Sequence, residues 1–254
     1  EPHADYISAL GMPKDRIYLG YNAVENEHFE SGALQAISND QDLRKKLGLP
    51  ERYVLVSGRF IKKKNIPNLI LAYAATLQNI NKAPDLVILG DGPEREAILS
   101  AVAECELWSR VHLHGFRGYD VLPAYYGLSE GFIHVSKSEL WGLGINEAMA
   151  ASVPVLASNR CGAARTMIND GINGFLTEPD VENISKALVD LFSLSTKRRI
   201  EIGRAARATV SKWGPERFGA GLRGAVESVG SLVPRRTSLR ERVVFGYLSR
   251  RVIS

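Results

Sequence analysis

Six short apolar runs, near residues 53–57, 86–89, 111–115, 131–135, 153–157 and 174–176, alternate with stretches of helical periodicity. A strand that returns to the sheet through a helix must cross over, and repeated crossovers place parallel strands between two layers of helices. Val153-Pro154-Val155-Leu156-Ala157 is apolar on both faces, as burial between two such layers requires. The expected fold is α/β, a doubly wound, parallel, Rossmann-like sheet. Helix punctuation agrees. Asn39 stands before Asp40 to Leu47 as an N-terminal cap, Gly48 follows as a left-handed terminator, and residues 180–228 read as helical throughout.

Open parallel sheets bind ligands beyond the carboxyl ends of their strands, so the loops leaving those ends carry the chemistry. One such loop follows Tyr53 to Ser57 and reads Gly58-Arg59-Phe60-Ile61-Lys62-Lys63-Lys64-Asn65, ahead of the helical pattern Ile66, Leu69, Ile70, Tyr73 and Ala74. Gly58 ends the strand, and Arg59 and Lys64 are placed to meet a pyrophosphate as two fixed cations. A solvated lysine loop is the plainer reading; it accounts for Lys62 and Lys63 but not for an arginine directly after a strand-ending glycine.

A second loop, Ser136-Lys-Ser-Glu-Leu-Trp-Gly-Leu-Gly-Ile-Asn-Glu-Ala148, sets Glu139 and Glu147 on either side of a glycine-bearing turn. The turn leads into a helix expected over Asn146 to Ala151. Amides that open a helix are unpaired and partly positive, and Gly142, Leu143 and Gly144 let a ligand approach the main chain closely. Phosphate suits those amides, while ionised carboxylates suit the hydroxyl donors of a sugar. Two ordinary solvated glutamates flanking a helix start are the competing explanation.

These segments resemble the retaining family 4 glycosyltransferases of the GT-B fold. Glu139 to Glu147 matches the E-x7-E signature in spacing, and Gly58-Arg59 to Lys64 matches the G-R-x4-K donor-phosphate motif. The resemblance implies that Arg59 and Lys64 hold the donor diphosphate, Glu139 the sugar hydroxyls, Glu147 the ribose, and the amides of Gly142 to Gly144 both sugar and phosphate. Further segments follow in the family's order: Tyr21 to Glu25, Leu86 to Pro93, Val111 to Phe116, Cys161 to Ala164 and Asp170 to Phe175. By resemblance Gly90 lies at the donor site and Gly115 and Phe116 lie against the base, although Phe116 reads equally as a core residue. From the residues themselves Gly90-Asp91-Gly92 reads more as a structural turn than as a ligand contact, with Pro93 in the first turn of a helix. Trp141, Gly144 and Asn146 depart from the pattern, standing where a phenylalanine and aliphatic residues are usual.

The resemblance covers about residues 16–228 and corresponds to the C-terminal, donor-binding half of a GT-B glycosyltransferase. Residues 1–30 are then a linker and remnant of an N-terminal acceptor domain, 31–230 the donor domain and 231–254 a basic amphipathic tail. A chain that opens on Glu1 and lacks the acceptor half is expected to belong to a longer product. The implied activity is transfer of a sugar, with retention and without a bound metal or other cofactor, from a nucleoside diphosphate sugar to an acceptor hydroxyl. A non-catalytic nucleotide-sugar-binding subunit, or a GT-B epimerase or hydrolase, are the alternatives.

Composition narrows the rest. Net charge is +4, yet the tail holds six arginines against Glu241, so it suits either anionic headgroups or an orphaned packing face. No apolar run approaches the roughly 20 residues that span a bilayer, so a cytoplasmic protein is expected, with membrane association only through the tail. Cys105 and Cys161 argue against a disulfide scaffold, the five histidines show no metal-ligand spacing, and no nucleic-acid partner is implied. Asp40-Gln41-Asp42 spells a D-x-D, but in a first helical turn, where acids favour the dipole.

Overall fold

All six expected strands form. In the computed structural model, which describes residues 2–80 and 82–230, they are β1 (Tyr53–Ser57), β2 (Asp85–Leu89), β3 (Val111–Gly115), β4 (Phe132–His134), β5 (Val155–Ser158) and β6 (Phe175–Thr177). The helices are α1 (Pro2–Ala9), α2 (Asn26–Ser38), α3 (Asp40–Leu47), α4 (Ile66–Leu77), α5 (Arg95–Glu104) and α6 (Leu122–Gly127), then α7 (Leu143–Ala150), α8 (Gly162–Met167), α9 (Val181–Phe192), α10 (Thr196–Val210) and α11 (Pro215–Gly230). Every strand pairing is parallel and the order is β3-β2-β1-β4-β5-β6. The order reverses between β1 and β4, which opens a crevice beyond their carboxyl ends.

Strand residues alternate between two apolar layers, as the pleat dictates. Tyr53, Leu55, Val87, Leu89, Phe132 and Val155 join the core that packs under α2, α6 and α7. Val54, Val56, Leu86, Ile88, Ile133 and Leu156 join the other, shared with α4, α5 and α9. Side chains such as Leu55, Leu86 and Ile88 are fully buried, each worth about 1.5–3 kcal/mol of transfer free energy. Residues 24 to 29, read from sequence as linker, contribute Val24 and Phe29 to the first core.

Several boundaries differ from the sequence expectation. The stretch over 180–228 is divided into α9, α10 and α11, because Asp180 and Ser195 each accept from an opening amide and Pro215 starts a third helix. Asn39 holds the N-cap position of α3 but its side chain caps no amide there: the side-chain amide donates backwards to the Gln35 carbonyl at 3.0 Å, because α2 runs directly into α3 and claims it. Gly48 does terminate α3, in the left-handed region at φ 65°. Asp40 of the D-x-D pairs with Arg44 one turn on, a structural use. Pro93 lies ahead of α5 rather than in its first turn, since Glu94 is the capping position. The run at 131–135 yields only the three-residue β4, and α7 begins three residues before Asn146. Among the described residues no helix is long and apolar enough to cross a membrane. The expectations for the basic tail, residues 231–254, lie outside the described residues.

Candidate functional site

The loops leaving β1 and β4 meet at the reversal point. The Lys137 amide donates to the Lys63 carbonyl at 2.8 Å, joining them. Asn65, buried and left-handed at φ 64°, donates to the carbonyls of Val135 at 3.1 Å and Pro179 at 2.8 Å. Asparagine tolerates that backbone region better than other side chains, so one residue both turns the lysine loop and ties it to the end of β4. Beyond β4 the chain continues beside the β5–α8 loop: the Glu139 amide donates to Arg160 at 3.2 Å and the Gly162 amide to Glu139 at 3.1 Å. The backbone of Glu139 is therefore held on both sides.

Its side chain faces the cations. Lys64 Nζ lies 2.5 Å from Glu139 Oε2 and Lys63 Nζ lies 3.4 Å from Oε1. Burial alone favours the protonated acid, but the hydrogen bond and charge of Lys64, joined by Lys63, outweigh it and hold Glu139 below the usual carboxylate range. Lys63, read from sequence as a solvated extra charge, thus reaches the site. Lys64 is pinned by its partner; Arg59 is exposed, and its side chain has no hydrogen bond or ion pair among the described residues. Of the two cations expected to be fixed, one is.

Beneath Glu139 stands His134, the last residue of β4. It is buried, with Nε2 3.9 Å from Glu139 Oε2 and 3.3 Å from Ser136 Oγ. Burial, with Lys64 nearby, depresses its pKa to about 3, so the ring is neutral. The backbone of Gly142 passes so close that a Cβ there would come within 3.2 Å of the ring. Gly142 caps α7 at φ 101°, a conformation that only glycine adopts without strain. His134 was not a candidate from sequence, because nothing in a lone histidine on an apolar run shows what lies above it.

Glu147 has a different setting, on α7 and largely buried. Tyr126, fully enclosed on α6, donates its hydroxyl to Glu147 Oε2 at 2.7 Å. Burial raises the Glu147 pKa, and the Tyr126 hydrogen bond and the charge of His28 offset this only in part. Leu143 and Gly144 form the first turn of α7, with Leu143 exposed and Gly144 against the Phe132 ring, where a Cβ would approach to 2.9 Å.

The remaining candidates divide. A Cβ on Gly90, at φ 126°, would lie 2.0 Å from the Gly58 carbonyl oxygen, so tight packing of the β1 and β2 exits demands glycine there whatever binds. Gly58 has only the Lys64 stem beside it, at 3.5 Å. Gly115, left-handed at φ 71°, faces open space, and Phe116 is 80% exposed. Among the described residues neither is hydrogen-bonded to the Glu139 cluster.

Two of the departures from the motif explain each other. The Trp141 indole donates to Asn146 Oδ1 at 2.8 Å, and Asn146 Nδ2 donates to the Asn22 carbonyl at 3.3 Å; Trp141 and Asn146 are both buried. A buried asparagine without that indole would leave polar atoms unpaired. Trp141 also packs against Trp213, the rings tilted at 36° with centroids 5.0 Å apart, and Trp213 in turn lies under the Arg217 guanidinium. The chain of bonds ties the start of α7 to residues 21–25.

Residues 39–209 match the family of glycosyl transferases group 1. The chain belongs to that family. Among its relatives, the GDP-mannose-dependent alpha-(1-6)-phosphatidylinositol monomannoside mannosyltransferase of Mycobacterium tuberculosis is 29% identical over 178 residues, 67% of this chain and 46% of that protein. A glycosyltransferase from Rickettsia africae superposes with a TM-score of 0.77 at 22% identity, over 91% of this chain and 62% of its own. HepE from Anabaena, in complex with UDP and glucose, gives 0.71 at 22% identity, over 90% and 61%. The fold of this group 1 member is therefore that of the GT-B glycosyltransferases. The chain spans about half the length of the curated relatives it matches.

Proposed function

We propose that this chain is the donor-binding half of a retaining, metal-independent glycosyltransferase that moves a hexose-type sugar from a nucleoside diphosphate to an acceptor hydroxyl. The observation that carries the reading is the Lys64–Glu139 contact of 2.5 Å at the reversal point of the sheet. It sets a cation suited to phosphate beside an anionic carboxylate suited to sugar hydroxyls. Arg59, exposed and uncommitted, closes on the diphosphate when donor arrives, and Lys64 turns its remaining donors to the same group. Together they stabilise the charge that develops on the leaving diphosphate. Glu139 orients the sugar and Glu147 accepts from the ribose hydroxyls, its second oxygen being held by Tyr126. The opening amides of α7, following Gly142, receive phosphate or sugar oxygens. Metal independence rests on the cations themselves, which supply the positive charge that a bound ion would otherwise provide.

Most acceptor contacts and the remainder of the catalytic cleft belong to a further domain in this reading, and the protein acts in the cytoplasm. Titration of the full chain with uridine, guanosine and adenosine diphosphates by calorimetry tests it. At least one is expected to bind, and Arg59→Ala to weaken that binding roughly tenfold or more. Absence of heat with all three refutes the donor site.

A further inference from the structure

The mouth of the site carries more positive charge than a sugar donor requires. Residues 1–230 together are slightly acidic, with 26 basic and 27 acidic side chains. Within them, the two joined loops hold Arg59, Lys62, Lys63, Lys64 and Lys137 against the single carboxylate of Glu139. Glu139 is committed to Lys64 and Lys63. Lys62 and Lys137 are exposed, sit on the two segments that the Lys137–Lys63 backbone bond joins, and have no hydrogen bond or ion pair among the described residues. The acids flanking Pro179, whose carbonyl accepts from Asn65, are engaged elsewhere. Glu178 is held by Asn159 and Arg160, and Asp180 by the amide and side chain of Asn183.

Like charges repel, so gathering five cations on two tied loops costs free energy unless anions sit there. A nucleoside diphosphate sugar brings only about two negative charges, which Arg59 and Lys64 answer. The surplus lies on Lys62 and Lys137. We propose that the acceptor is itself anionic, carrying a phosphoryl group that Lys62 and Lys137 hold beside the bound donor. This rests on the donor reading above and extends it to the second substrate. The surplus also draws such an acceptor towards the crevice, against an otherwise acidic surface.

The phosphoryl group has two sources, a soluble phosphate ester or a lipid headgroup, and two probes separate them. The full chain is first saturated with whichever nucleoside diphosphate binds. It is then titrated with glycerol 3-phosphate by calorimetry, and sedimented with phosphatidylcholine vesicles with and without phosphatidylglycerol. The wild type is expected to bind glycerol 3-phosphate, or the anionic vesicles alone if the group is lipid-borne. Lys62→Ala combined with Lys137→Ala is expected to weaken that binding roughly tenfold, while nucleoside diphosphate affinity stays within about threefold. Residues 231–254 are present in both proteins, so their charge cancels from the comparison.

Equal binding of the probe by wild type and variant overturns the proposal. So does an equal fall in diphosphate affinity, which would assign both lysines to the donor. Nucleotide binding with neither probe bound removes this inference alone, whereas a wild type that binds no nucleotide removes the donor reading and this inference together.

Discussion

The two carboxylates of the E-x7-E segment are eight residues apart, yet the fold gives them opposite surroundings. Glu139 sits on a loop beyond β4, among lysines, and stays ionised. Glu147 sits on α7 against Tyr126, and burial pushes its pKa up. A motif therefore specifies side chains and spacing, while the neighbours specify what each acid does. The first is an anion held by cations, the state in which the proposed sugar contacts would be made. The second is a shielded acceptor whose ionisation is cheaper once a ligand donor reaches it.

The sharpest way to break this contrast is to remove the cation that defines one side of it. Lys64→Ala takes away the proposed phosphate ligand and leaves Glu139 without its short partner. Nucleoside diphosphate affinity, measured by calorimetry, is expected to fall roughly 10- to 100-fold. A change under about threefold would show that Lys64 serves Glu139 and not the donor.

Next in size is the hydrogen-bonded chain through Trp141. Asn146→Leu takes the acceptor from the indole of Trp141 and the donor from the Asn22 carbonyl, and Trp141→Phe takes the donor from Asn146 Oδ1, so each is expected to cost about 1–3 kcal/mol. For a chain of this size that is a fall in melting temperature of roughly 2–10 °C. The double variant restores an apolar pair and is expected to recover much of the loss. Additive losses in the double variant would mean that the two residues do not act as a unit.

The smallest effects compare the acids directly. Glu139→Gln at pH 7 removes the charge facing Lys64 and is expected to lower stability by about 1–2 kcal/mol, discounted for partial exposure of the pair. Glu147→Gln keeps an acceptor for Tyr126 without a buried charge and is expected to leave stability unchanged or slightly raised. The pH dependences have opposite signs. The folded pKa of Glu139 is lowered, so its contribution is present above the unfolded carboxylate pKa and is lost as pH falls through the folded value. That of Glu147 is raised, so its protonated form favours the fold below the unfolded pKa, and this advantage disappears as pH rises through the folded value. Thermal melts of both variants and the wild type, carried from pH 8 down through the carboxylate range to about pH 2, check the signs, and parallel profiles for the two would erase the distinction.

Much of the frame was legible in the residues. The strand runs, the glycine exits and the alternation with helical periods state local preferences that survive burial, so β1 and β3 fall where the sequence puts them. Breaks were less legible in the long helical stretch because Ser195 and Pro215 are short signals inside a continuous apolar period. At the site, Arg59, Lys64, Glu139 and Glu147 stand out by type and spacing. Tyr126, His134 and Asn22 do not, since Tyr126 and Asn22 meet partners 21 and 124 residues away and His134 lies beneath a turn that folds back over it.

By itself the sequence determined a parallel α/β sheet with a cationic loop and an acidic glycine turn at its carboxyl edge, because hydrophobic periodicity and glycine placement are local and strong. Only the tertiary structure decided that Lys64 closes on Glu139, that Glu147 is shielded by Tyr126, and that Trp141 and Asn146 satisfy one another. Those outcomes depend on which groups lose water together, and desolvation is a property of packed neighbours that no single segment encodes.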